Sequence, residues 1–96
     1  MKKLTTLTDK EVKLIVRGLR AAVSSHLSFF RIRKIAEESL PGTLDFDGAR
    51  SSLGKILIKL SEVEAEAKRR GLRLAKRSFT MLETEEALGR LSRRVN

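Results

Sequence analysis

The chain has 96 residues, 41% of them hydrophobic, with 21 Lys/Arg against 12 Asp/Glu and a formal net charge of +9 at pH 7. This bounds one small domain with a single core; without cysteine, and with His26 as its one histidine, it offers no disulfide, thiol chemistry, Cys-ligated zinc or multi-His metal site. No apolar run approaches the roughly 20 residues of a membrane span, and Asp9, Lys10 and Glu11 interrupt any leader-like stretch, so a cytoplasmic chain is expected.

The first predicted helix opens at the capping box Thr8-Asp9-Lys10-Glu11 and extends to about Ser24. Val12, Ile15, Val16, Leu19 and Val23 share one of its faces. Lys10, Lys13, Arg17 and Arg20 recur at intervals of 3, 4 and 3 along its flank. Residues His26 to Phe29 read as a brief strand or turn. A second helix follows over about Phe30 to Ser39, with Ile32, Ile35, Ala36 and Leu40 facing inward, and Pro41-Gly42 ends it. The third helix is expected to start with Asp47 as N-cap and to bury Ala49, Leu53, Ile56, Leu57 and Leu60, leaving Ile58 outside. It either continues to Arg70, where Gly71 supplies the C-cap, or breaks at the second capping box, Ser61 to Glu64. Leu72 to Lys76 alternates like a half-buried strand, and Ser78 to Met81 reads as another. Thr80 to Glu83 then caps a last helix in which Leu88, Leu91 and Val95 share a face suited to dimerisation or partner docking.

The charge along these elements is segregated. Residues 1–34 carry nine Lys/Arg against two acids, residues 35–66 three against seven, and residues 67–82 six against none. Separate positive blocks on a small domain point to a polyanion partner, usually nucleic acid. Without Trp or Tyr the chain has no stacking platform for single-stranded RNA, which favours double-stranded DNA. The absence of Gln and Cys, the single Asn at position 96 and the 34% of charged residues resemble hyperthermophile composition. Catalysis finds little support. Asp45 and Asp47 are best read as loop and cap residues, and no phosphate-binding glycine motif occurs; the chain is expected to be no enzyme and to carry no metal or cofactor.

The run Arg31-Ile32-Arg33-Lys34-Ile35-Ala36-Glu37-Glu38-Ser39-Leu40, a turn, and then Ala49-Arg50-Ser51-Ser52-Leu53-Gly54-Lys55-Ile56-Leu57 resembles the winged helix-turn-helix family of DNA-binding domains over residues 8–82. The resemblance implies a mainly α domain with a short β element, the third helix entering the major groove. On that pattern Arg50, Ser51, Ser52, Lys55 and Lys59 face the groove. Lys68, Arg69, Arg70, Arg73, Lys76 and Arg77 form the wing or its equivalent, and Arg31, Arg33 and Lys34 add charge at the start of the second helix. The turn before the third helix is longer than the three or four residues usual in the family. A bundle of four or five helices fits the same periodicities. The expected function is thus a small basic DNA-binding protein, a transcriptional regulator or chromatin-type factor, monomeric or a homodimer. The alternative is a helical module for an acidic protein partner or structural RNA.

Overall fold

The computed structural model describes residues 3–89. They form α1 (Asp9–Arg31), α2 (Arg33–Ser39), α3 (Phe46–Arg69) and α4 (Met81–Ala87), preceded by one 3-10 turn at Leu4–Thr6. No strand occurs among the described residues, so the domain is mainly α.

The first helix begins as the sequence predicts, with the Thr8 hydroxyl accepting from the Glu11 N–H and the Glu11 carboxylate returning to the Thr8 N–H. It extends well beyond Ser24, and residues 26–29 are helical rather than a strand or turn. The apolar spacing Val23, Leu27, Phe30 explains the continuation, because each of these side chains still meets the core. The break falls at Ile32, whose backbone leaves the helical region, so α2 starts only at Arg33.

Helices α1 and α3 form an antiparallel hairpin. Asp9 at the start of α1 meets Arg70 at the end of α3, and Phe29 near the end of α1 stacks with Phe46 at the start of α3, ring centroids 4.7 Å apart. Between them Val12, Val16, Val23, Leu27, Leu53, Leu60, Val63 and Ala67 close a continuous core. The N-cap of α3 is Asp45 and not Asp47: its carboxylate accepts from the Gly48 N–H at 2.8 Å, and a Cβ at Gly48 would overlap that carboxylate. The helix is unbroken through Ser61, because Leu60 and Val63 are both buried against α1 and hold that turn in register.

Only Ala36 of α2 is buried, whereas Ile32, Ile35 and Leu40, expected inside, stand in solvent. Seven residues make two turns, and of these only the Ala36 side chain reaches the core.

A Schellman motif ends α3: the Leu72 N–H reaches the Ala67 carbonyl and the Gly71 N–H the Lys68 carbonyl, with Gly71 at φ 72°. Residues 71–80 then return along the hairpin as an extended strap. Leu72 and Leu74 are half-buried and Phe79 is buried, so the alternation holds, but no second strand lies alongside to pair the backbone. The β element expected over residues 72–81 is therefore not formed as a strand. Thr80 caps α4 in a capping box with Glu83, and Leu88 packs towards Gly54 of α3. Leu91 and Val95, assigned above to the same helical face, lie outside the described residues.

Candidate nucleic-acid interface

The flank of α1 presents Lys10, Lys13 and Arg17 on successive turns, all exposed and without an ion pair among the described residues. Arg20, next on the same stripe, turns towards the strap and donates to the Ala75 carbonyl at 2.6 Å. Farther along, the Ser24 and Ser78 hydroxyls are 2.8 Å apart. Between α1 and the strap these contacts leave a groove of about 330 Å³ whose lining includes Lys13, Arg17 and Arg20 from one wall and Arg73 and Lys76 from the other. Among the described residues, no acidic side chain lines it. Cations from both positive blocks, more than fifty residues apart in sequence, thus converge on one concave surface, where fields from both walls add.

One carboxylate lies just behind this surface. Glu64 of α3 accepts from Arg20 Nε at 2.8 Å and from Arg77 Nε at 3.2 Å, and its second oxygen meets Arg77 Nη2. Burial pushes the Glu64 carboxyl up, but hydrogen bonds and charge from Arg77 and Arg20 outweigh this and hold it below the ordinary value. Arg77, assigned above to the wing, is therefore engaged internally.

The same holds for two more arginines of the second block. Glu66, buried, accepts from Arg69 at 2.6 Å and from Arg70 at 2.6 Å. Hydrogen bonds from Arg69, then Arg70, lower its pKa to about 2. Arg70 also reaches Asp9 at 3.0 Å and the Leu4 carbonyl at 2.8 Å, joining the amino-terminal turn to the end of α3. Lys68 is exposed, with no ion pair among the described residues.

The outer face of α3 is a different surface. Ser51, Ser52 and Lys55 are exposed, Ser51 and Lys55 on the side of the helix opposite Leu53 and Leu60 and Ser52 on its shoulder. Lys59 approaches Glu62 at 3.4 Å. Arg50 turns inward: it pairs with Asp47 at 3.0 Å, donates to the Ala87 carbonyl and lies over the Phe30 ring. Near α2, Arg31 pairs with Glu83, Arg33 pairs with Glu37 and lies over Phe46, and Lys34 is exposed. The residues expected to bind nucleic acid therefore fall on three separate surfaces. Lys13 and Arg17, which the winged-helix pattern omits, stand in the groove. The signal for them was the 3, 4, 3 spacing of cations on α1 without interleaved acids.

Asp45 and Asp47 are consumed by the cap and by Arg50, and His26 is bonded to the Ala22 carbonyl at 2.9 Å. Among the described residues, no group of three or more His, Asp or Glu side chains could hold a metal ion, and no helix is long and apolar enough to cross a membrane. No protein-family model, no curated protein and no solved structure matches the chain.

Proposed function

We propose that the chain is a small, non-enzymatic DNA-binding protein of the cytoplasm that grips the phosphate backbone of a duplex through the groove between α1 and the strap. The observation that carries this reading is the convergence of Lys13, Arg17, Arg20, Arg73 and Lys76 on one concave surface with no acid in its lining. Backbone binding is favoured over base reading, because five cations offer point contacts to phosphates and the chain has no Gln and no Asn before position 96. A transcriptional or chromatin-type role follows as the biological form of such binding. The test is a titration of labelled duplex at increasing salt. Five phosphate contacts give a slope of log K against log salt of about −4 to −5. Absence of binding at low salt, or a slope near zero, rejects the reading.

A winged-helix mode, with the outer face of α3 in the major groove, is the finer version of this proposal. Exposed Ser51, Ser52 and Lys55 favour it, since small residues let a helix approach a duplex closely. The second reading, a module that docks a protein partner or a second copy, is favoured by Ile58 and Met81, both more than half exposed in the lining of the cleft between α3 and α4, and by the exposed Leu82 of α4. A stable dimer or a protein complex isolated free of nucleic acid would favour that reading.

A further inference from the structure

The strap forms one wall of the groove, yet it has no backbone ladder to hold it in place. Its polar ties to the long helices are the Ala75 carbonyl bound by Arg20, the Ser24–Ser78 contact, and the Arg77–Glu64 pair. Two of these three run through Glu64, which orients Arg20 from behind while gripping Arg77 from the strap. The Glu64 side chain is only 14% exposed and Arg20 17%, so neither ion is free to reorient into water. We infer that Glu64 strengthens binding of a phosphate backbone in the groove, because it fixes Arg20 and the strap in the geometry that makes the groove. It acts as a positioning residue, and the inference rests on the groove being the binding surface.

The sign of this effect separates it from simple electrostatics. Glu64 is a negative charge close to a site for polyanions. Acting through its charge alone it would repel the ligand, and its neutralisation would tighten binding by about twofold at the distances and screening of a protein surface. Acting as a latch, it delivers Arg20 and one wall of the groove, and its neutralisation weakens binding. The loss of one aimed cation at physiological salt corresponds to about fivefold in affinity and about one unit of salt slope. The Ser24–Ser78 contact and the buried Phe79 ring remain, so the strap loosens without the core opening.

The experiment uses the full chain as Glu64→Gln and, for comparison, Glu62→Gln, which removes an exposed acid whose one ion pair among the described residues is with Lys59. Affinity for a labelled 20-base-pair duplex is measured across a salt series at a temperature where circular dichroism shows each variant folded. In parallel, trypsin cleavage after Arg73, Lys76 and Arg77 is timed without DNA. The expected result is about fivefold weaker binding and a shallower slope for E64Q, with strap cleavage about tenfold faster. E62Q should cleave at the wild-type rate and bind equally or slightly tighter. A folded E64Q that binds as tightly as E62Q overturns the inference, as does unchanged strap cleavage. Should E64Q fail to fold, Arg77→Gln releases the same latch from the strap side and must show accelerated cleavage after Arg73 and Lys76, the two strap sites it retains. A wild-type chain that binds no duplex would overturn the functional reading and the affinity arm with it. The proteolysis arm would still decide whether Glu64 holds the strap.

Discussion

On the outer face of α3, Lys59 approaches Glu62, Arg50 has turned away to α4, and Lys55 is exposed with no ion pair among the described residues, near exposed Ile58. In the groove, Lys13, Arg17, Arg73 and Lys76 all lack ion pairs among the described residues, and Arg20 is held by an acid placed behind it. Both surfaces lie on a strongly basic domain, yet they differ in how much of their charge remains available. The number of cations in a stretch of sequence is thus a poor guide to a binding face. What counts is how many face the binding surface, unpaired or, like Arg20, held there by an acid behind, and whether they stand on opposing walls where their potentials reinforce.

The sharpest way to break this comparison is to neutralise each face in turn. Changing Lys13, Arg17, Arg73 and Lys76 together to Gln should weaken duplex binding on the order of 10²–10³-fold at physiological salt and lower the salt slope by three to four units, at about fivefold for each lost contact. Lys55→Gln with Lys59→Gln should change affinity by less than about threefold. A larger loss from the α3 pair than from the groove set would reverse the assignment and restore the winged-helix geometry. All six positions are exposed, so circular dichroism should show the variants folded.

Much of this architecture was legible in the sequence, for reasons that differ by element. Both real capping boxes, at Thr8 and Thr80, depend on local chemistry and form as written. The third, at Ser61, does not act as a cap, because burial of Leu60 and Val63 favours an unbroken helix over a local start signal. Packing likewise carries α1 through Ser24 and Ser25, where propensity alone suggests an end. The groove was only half legible. The stripe on α1 is a matter of period, but its meeting with Arg73 and Lys76 depends on the path of the strap, and that path is set by Phe79, Ser78 and Glu64 at a distance in sequence. The loss of Arg70 and Arg77 to internal pairs was invisible for the same reason.

A change beneath both surfaces tests whether they are separable from the scaffold. Leu60 is 1% exposed and lies between α1 and α3. Leu60→Ala should cost about 2–5 kcal/mol of stability, from lost burial and an unfilled cavity. The folded fraction should bind duplex with unchanged affinity. A drop in affinity beyond what the unfolded fraction explains would show that the groove wall depends on packing below it, and would narrow the contrast with the α3 face.

Acid provides a smaller, graded perturbation. The folded pKa of Glu66, about 2, lies below its ordinary 4.5, so its stabilising contribution is complete above 4.5 and is lost as pH falls towards 2. Glu64 is lowered in the same direction. Denaturation midpoints should therefore decline across that window, and Glu66→Gln should flatten the decline at the expense of stability near neutrality. Equal slopes in wild type and variant would remove the Glu66–Arg69–Arg70 cluster from the account of stability.

The mildest change bears on the third group of cations, those near α2. Thr80 caps α4, and Thr80→Ala should cost about 1 kcal/mol, or roughly 4–8 °C in melting temperature for a domain of this size. The capping box also fixes Glu83, which holds Arg31 at 2.9 Å. Loosening the cap releases Arg31 from its partner and adds an available cation near the end of α1, well away from the groove. If nucleic acid reaches that end of the hairpin, the variant should bind duplex more tightly despite its lower stability. If binding is confined to the groove, stability falls and affinity stays constant. The confined outcome is the one expected, because Arg31 and Glu83 lie at the far end of α1 from Lys13 and Arg73, and screening over that distance leaves little coupling between them.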